Sequence, residues 1–320
     1  MEKREFYLPS SDGKSRLHCV EWLPDETELQ KIKLWVQLVH GMNEHMGRYG
    51  EFASFLTEHG IAVIGHDCLG HGDTAAYGEA ELSKKERGFF AEKNGGTFLL
   101  RDMHRVASYG ATRYPGAKHI LLGHSMGSFL TRRYLSAYPG KEPDGAVLLG
   151  TGFPAPPLVF TGEMLAALFG KIKGNHYRSR LLYELSIGNY NRKFQPVRTD
   201  YDWLSRDERF VDRFLNNPRC DFIFTVGAYR DFFHEIRAAE EAELVGYLPK
   251  NIPYLILSGD KDTVGENGKG VKKLAALYRK MGVQDLTMKL YPGARHEVLN
   301  EVNREEVFGD ILRWLTEKLR

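Results

Sequence analysis

Short apolar runs alternate with longer amphipathic segments through most of this chain. The alternation stops after residue 152 and resumes after residue 250. Leu34–Val39, Ile61–Gly65, Ile120–Leu122, Ala146–Leu149, Tyr254–Leu257 and Leu286–Leu290 are runs that suit strands buried on both faces. Between them, Arg48–His59, Phe98–Arg113, Met126–Ala137, Val271–Met281 and Arg304–Leu319 carry helical periodicity. The first three end at Gly60, before Pro115 and before Pro139-Gly140, where helix breakers belong. Strand–helix alternation of this kind predicts an α/β fold, a mostly parallel sheet with helices on both faces. Ahead of it, Glu5–Leu8 and Leu17–Trp22 flank the turn-rich Ser10-Ser11-Asp12-Gly13-Lys14 and predict an antiparallel hairpin.

Residues 153–250 hold helical patches, aromatic residues and Asn/Arg-rich turns, but no clean strand run. A structureless loop of that length is foreign to a compact domain. The segment is therefore expected to form a mostly helical cap, inserted into a core made of residues 1–152 and 251–320.

With 320 residues, 42% of them apolar and 12% aromatic, the chain can bury a core of that size. A net charge of +2 leaves no strong field to steer nucleic acid, so no nucleic-acid partner is expected. Cys19, Cys68 and Cys220 are odd in number and far apart, which points to packed, reduced thiols. Met1-Glu2-Lys3-Arg4-Glu5 is followed by no apolar stretch, so no signal peptide is expected. No apolar run reaches the ~18–20 residues a membrane span needs. The expected setting is cytoplasmic.

Gly123-His124-Ser125-Met126-Gly127 matches G-x-S-x-G. Alone the pattern is weak, but here a strand precedes it and a helix follows it, which makes Ser125 the candidate nucleophile of a strand-to-helix elbow. The flanking glycines leave room against neighbouring strands, and the helix N-terminus favours developing negative charge. A serine hydroxyl needs a base, and the base an orienting acid, expected in that fold after later strands in the order Ser, acid, His. Tyr254–Leu257 leads into Ser258-Gly259-Asp260-Lys261-Asp262, and Leu286–Leu290 leads into Tyr291–His296. His296 is the only histidine beyond His234, which lies in the insertion and is taken as a cap or surface residue. Asp260 and Asp262 both lie in the right loop. Asp262 is preferred because it stands further past the strand end, with Asp260 holding the turn. After Leu34–Val39, Gly41 permits a sharp turn that exposes the Met42 N–H. With the Met126 N–H it offers two backbone donors to an oxyanion, leaving the methionine side chains free to line an apolar pocket.

Two clusters tempt a metal assignment: His40 with Glu44 and His45, and His66-Asp67 with His71 and Asp73. Neither has the HExxH spacing or a third-ligand arrangement. Turn stabilisation is the reading for the first, and a hydrogen-bond anchor at Asp67 for the second. No metal and no cofactor are expected.

The stretches His40–His45 with Arg48-Tyr49, Asp67 with Gly70-His71-Gly72, Gly123–Gly127, the Asp262 loop and Gly293–Glu301 resemble the monoacylglycerol lipase and lysophospholipase branch of the α/β-hydrolases, grouped with serine aminopeptidase-like proteins. The resemblance implies an α/β-hydrolase fold with a cap between two core segments, and esters with long acyl chains as substrates. It carries the triad onto Ser125, Asp262 and His296, and the oxyanion donors onto Met42 and Met126. Asp73-Thr74 and Gly265 depart from the relatives' pattern away from the chemistry.

Within the insertion, Met164, Leu165, Leu168, Phe169 and Ile172 follow helical spacing, with Lys171 and Lys173 at the end. This helix is expected to pack an apolar face over the core. It is also a candidate for transient contact with a membrane surface. Asp200–Ser205, Phe222-Ile223-Phe224 and Phe232-Phe233 are candidates for an acyl channel or for the interior of the cap. Three functions stay open. The first is a serine ester hydrolase working through an acyl-enzyme on a small, lipid-like monoacylglycerol or lysophospholipid ester. The second is an aminopeptidase-like hydrolase with the same triad. The third is a non-catalytic binding protein on this fold, against which the intact triad argues.

Overall fold

Five of the eight strands are buried along all or nearly all of their length, because helices cover the sheet on both faces. The computed structural model describes residues 1–25, 29–75 and 86–318. The strands are β1 (Glu2–Pro9), β2 (Arg16–Leu23), β3 (Leu34–Val39), β4 (Ala62–His66), β5 (Lys118–His124), β6 (Gly145–Leu149), β7 (Tyr254–Gly259) and β8 (Leu286–Tyr291). They form one sheet in the order β1-β2-β4-β3-β5-β6-β7-β8. The hairpin β1–β2 and the β2–β4 pair are antiparallel, and every other pair is parallel. The mostly parallel sheet expected from the alternation is present. β3 spans its apolar run and β4 is shifted from its run by one residue, while β5, β6, β7 and β8 are longer than theirs, because end residues such as Lys118, His124 and Gly259 join the ladder without adding to the apolar signal.

The core helices are α1 (Gly50–Glu58), α2 (Gly95–Arg113), α3 (Met126–Ala137), α8 (Lys269–Lys280) and α9 (Arg304–Lys318); Leu319, included in the predicted last helix, lies outside the described residues. Alternate strand residues serve opposite faces. Val36, Leu38, Leu122 and Leu149 pack with Phe52 and Leu56 of α1 and with Phe308, Ile311 and Trp314 of α9. On the other face, Val39 and Leu121 meet Leu99 and Met103 of α2 and Leu130 of α3, while Leu148 and Ile256 meet Leu274 and Tyr278 of α8. Each such side chain contributes roughly 1.5–3 kcal/mol of burial. The parallel order brings the carboxyl ends of β3, β5, β7 and β8 to one end of the sheet, where sites form in α/β sheets.

Between β6 and β7 lie α4 (Pro156–Lys173), α5 (Arg180–Tyr183), α6 (Glu208–Leu215) and α7 (Val226–Leu244). Helix α7 packs on the core. Asp231 and Glu235 face the N-terminus of α2 so closely that a Cβ on Gly95 or Gly96 would lie 2.3 Å from a carboxylate oxygen. That contact places negative charge at a helix N-terminus. Arg132 of α3 is fully buried and donates twice to Glu243 of α7, at 2.8 and 2.7 Å, and once to Gly152 O at 2.7 Å. Tyr278 OH also donates to Glu243, at 2.7 Å. Helix α4 departs from expectation. Leu165 and Phe169 turn inward with Val159 and Ala166, but Met164, Leu168 and Ile172 lie on an open face with Leu158 and Phe160. The helix is apolar on two sides, and a spacing argument cannot say which side meets the core. No helix among the described residues is long and apolar enough to cross a membrane.

Glu240 of α7 lies beside Arg132, Glu243 and Lys273, buried, with no hydrogen-bond partner for either oxygen among the described residues. Burial pushes its carboxyl up to about 7; Glu243 adds to the rise, while Arg132 and Lys273 oppose it. A carboxyl kept neutral by the fold adds stability that is full below the ordinary glutamate pKa and is lost as pH rises through 7. Glu240→Gln should therefore leave Tm nearly unchanged at pH 5 and raise it by about 2 °C or more at pH 8, followed by scanning calorimetry.

Candidate active site

Ser125 follows β5 directly and precedes α3, with φ 52° and ψ −119°, a backbone conformation that side chains disfavour. Hydrogen bonds hold it there. Ser125 N donates to Leu149 O at 2.9 Å, and Ser125 O accepts from Ser128 N at 2.8 Å, Phe129 N at 3.2 Å and Ser128 Oγ at 2.7 Å. A Cβ on Gly127 would lie 2.1 Å from Val39 O in the neighbouring strand, the crowding the motif predicts. A Cβ on Gly123 would instead lie 2.2 Å from Gly127 O, so that glycine answers to its own helix and not to a strand.

The loops after β7 and β8 bring Asp262 and His296 together. His296 Nδ1 is 2.9 Å from Asp262 Oδ1. Asp262 also accepts from Ser258 Oγ and Val264 N, each at 2.9 Å, and is fully buried. Burial opposes its ionisation, but the charge of His296 and these hydrogen bonds outweigh it and hold the carboxyl below its ordinary value. The His296 ring sits between Trp203 and His124, each at 5.0 Å between centroids, above Gly150, where a Cβ would lie 3.0 Å from Cε1. Asp260 does not reach His296. Its Oδ1 accepts from Gly293 N at 2.8 Å, pinning the acid loop to the histidine loop.

On the opposite side, Gly41 packs against Ser125, and a Cβ there would lie 3.0 Å from Ser125 Cβ. Among the described residues, neither the Met42 nor the Met126 N–H finds an acceptor. Glu44 Oε2 accepts from Gly41 N at 2.7 Å and from Tyr49 OH, and lies 3.2 Å from His124 Nδ1. Arg48 bridges Glu44 Oε1, at 2.6 Å, and both oxygens of Glu297, each at 2.8 Å. Burial works against ionisation of Glu44, but His124 and Arg48 hold its carboxyl well below the usual range. The sequence suggested a turn role for Glu44. What it hid is that Arg48 joins the Gly41 turn to the residue after His296, a contact between positions with no common spacing.

Ser125, His296, Met42 and Met126 open on a cavity of about 300 Å³. Its walls are largely apolar: Phe129, Val159, Leu165, Leu182, Ile187, Ile236 and Val264, with Leu158 and Leu185 also exposed. Of the acyl-channel candidates, Tyr201, Trp203, Leu204, Phe232 and Phe233 line it. Phe222 and Phe224 do not; they flank His71 edge-on at 5.4 Å. Leu182 through Tyr190 went unnoticed in the sequence because short helical turns carry no lasting periodicity. His234 lies outside the cavity, half-exposed and 3.0 Å from Glu163.

The histidine-rich loops hold themselves. Asp67 accepts from Met46 N at 2.7 Å and Asp73 N at 2.8 Å, and lies 2.9 Å from His18 Nδ1. His18, Asp67 and Asp73 could offer ligand atoms within 4.8 Å of one another. Asp73, however, is paired with Arg219 at 2.8 Å, and Asp67 is saturated, so the set does not fit a metal. Cys19, Cys68 and Cys220 are free and buried.

A family model described as serine aminopeptidase, S33, matches residues 30–303. The chain is 29% identical over 316 residues to a human monoglyceride lipase, covering 98% of this chain and 90% of that protein. It is 27% identical to a monoacylglycerol lipase of Mycolicibacterium smegmatis, covering 96% and 95%. A highly thermostable carboxyl esterase from Bacillus coagulans, solved in complex with glycerol, aligns at TM-score 0.89 and 26% identity over 100% of both chains. A soluble variant of a Saccharomyces cerevisiae monoglyceride lipase, in complex with a substrate analog, shares the fold at TM-score 0.75 and 20% identity, covering 99% and 96%.

The closeness of Gly127 to Val39 O makes a local prediction. Gly127→Ala puts a methyl against backbone that cannot yield, so it should lower Tm by about 5 °C or more or abolish soluble expression. Gly116→Ala, with no atom within 4 Å of its Cβ, should cost only the local strain of its φ of +79°; thermal melts compare the two.

Proposed function

The chain belongs to the serine aminopeptidase S33 family, in the monoacylglycerol lipase branch of the α/β-hydrolases, and is an ester hydrolase of the serine-esterase type; we propose that Ser125, Asp262 and His296 are its catalytic triad and that its substrate is a monoacylglycerol-like ester. The observation that carries this reading is the pairing of buried Asp262 with His296 at the end of an apolar cavity that opens on Ser125. Ser125 Oγ attacks the ester carbonyl while His296 takes its proton. Asp262 holds the imidazole and stabilises its cationic form. The Met42 and Met126 N–H groups receive the oxyanion. His296 returns the proton to the departing alcohol, leaving an acyl-enzyme. Water then attacks that ester, with His296 again as base, and frees the acid.

The cavity walls support an acyl chain, since apolar lining rewards apolar burial. They also discriminate among head groups. Among the described residues no lysine or arginine lines the cavity, so a phosphate would find no counter-charge, which favours a neutral acylglycerol over a lysophospholipid. The acids that line it, Glu44 and Glu297, are both committed to Arg48, so neither is free to hold the ammonium of a peptide N-terminus. The glycerol bound to the Bacillus coagulans esterase accords with this preference.

We further infer that residues 153–250 act as a cap, and that the open face of α4 meets lipid surfaces transiently. Leu158 and Ile172, each 68% exposed, mark the two ends of that face, and Lys171 and Lys173 stand beside the second. The free, buried thiols fit a reducing, cytoplasmic setting.

Ser125→Ala should lower turnover of a p-nitrophenyl ester by roughly 10⁴-fold or more, and Asp262→Asn by a comparable factor, whereas Asp260→Asn should cost less than about tenfold. Near-normal activity of Ser125→Ala, or failure of a fluorophosphonate to label Ser125, would end the triad assignment. The double variant Leu168→Ser/Ile172→Ser should bind phosphatidylcholine vesicles less in flotation yet hydrolyse soluble esters as the wild type does. Wild-type protein that never floats with vesicles would remove the lipid contact.

A further inference from the structure

Asn43 directly follows Met42, and its φ is +59°. A glycine would adopt that conformation freely. Asparagine tolerates it with some strain, so the side chain needs a reason to be there. Its contacts supply one. Asn43 is buried, and its Nδ2 donates to Cys220 O at 3.1 Å and to Phe222 O. Both amide hydrogens are thus committed to carbonyls of the connection between α6 and α7.

That connection is itself anchored to the core. Arg219 pairs with Asp73 at 2.8 Å, Asn217 Nδ2 lies 2.8 Å from His45 Nε2, and Cys220 N donates to Asn217 O at 2.8 Å. From the other side, Glu44 accepts from Gly41 N at 2.7 Å. The peptide between Gly41 and Met42 is therefore held at one end by a core carboxylate and at the other by the inserted segment.

Resting on the assignment of Met42 N–H as an oxyanion donor, we propose that Asn43 is a positioning residue. Its side chain makes the orientation of that donor depend on the docking of residues 217–222. Asn43 borders the cavity, but its amide nitrogen is turned to the Cys220 and Phe222 carbonyls, so it acts on the reaction through Met42. Loosening the tether lets the N–H swing, and an oxyanion donor misplaced by an ångström loses much of its effect. The ground-state ester needs that donor less than the tetrahedral intermediate does, so the loss falls on kcat.

The test uses two variants of the full chain. Asn43→Gly keeps the positive φ and removes the tether. Asn43→Asp keeps the shape but turns an acceptor toward two carbonyl oxygens. We expect kcat for p-nitrophenyl butyrate to fall about 10-fold in Asn43→Gly and up to about 100-fold in Asn43→Asp, with KM within about threefold. Inhibition by butylboronic acid, whose adduct places an oxygen where the oxyanion forms, should weaken by a similar factor. A purely structural asparagine would lower Tm and leave kcat and boronate inhibition unchanged. That outcome in Asn43→Gly overturns the proposal, and this variant decides alone if Asn43→Asp fails to fold. Ser125→Ala, run alongside, separates the two readings: if it is inactive, failure of the Asn43 variants counts against Asn43 only, and if it is active, both fall.

Discussion

The site hangs from one close crossing, where the first turn of α3 rests on the end of β3. Gly127 lies so near the carbonyls of Val39 and His40 that no side chain fits between them. This contact fixes where the helix can start, and so forces Ser125 into its left-handed backbone. Such a residue costs of order 1–3 kcal/mol and persists only when its surroundings over-determine it. Here the bond to Leu149 O, the bonds onto Ser125 O and the burial of Phe129 and Leu130 offset that strain. The same crossing sets Met126 at the helix N-terminus, beside the cavity.

Buried charge joins the remaining parts. Glu44 and Glu297 are buried and Arg48 is largely so, and taking three such groups out of water is worthwhile only because each finds several partners. Their value lies less in net stability than in position. Arg48 connects the turn carrying Met42 with the loop carrying His296, two segments that meet only through the fold. Glu44 then reaches Gly41 N, and His124 lies between Glu44 and the His296 ring.

The segment between β6 and β7 belongs to this arrangement. Phe224, Val226 and Tyr229 share one apolar cluster with Val39, Leu121 and Met126 of the core. Helix α7 is tied down by the Arg132–Glu243 pair and by carboxylates at the α2 N-terminus, while α4 leaves one apolar side open. The firm part of the insertion shapes the cavity and the open part borders its mouth.

Much was legible in the chain itself. Apolar runs and breakers determined the parallel sheet, since a strand buried on both faces must be apolar throughout. The elbow, the acid loop and the histidine loop were legible because each needs particular residues at particular places along one segment. Tertiary structure decided the rest. Asp262 rather than Asp260 meets His296, because Asp260 is bonded to Gly293 N at the start of the loop after β8 and Asp262, two residues further on, reaches the imidazole. Phe222 and Phe224 left the cavity that Phe232 and Phe233 entered, though all four are aromatic residues of the insertion. Arg48 found Glu297, and Asn43 found the carbonyls of Cys220 and Phe222, across long stretches of chain. Local sequence encodes hydrogen-bonding capacity and periodicity, both short-range properties. Which distant groups satisfy that capacity depends on how the elements pack, and that is where the geometry of this candidate site was settled.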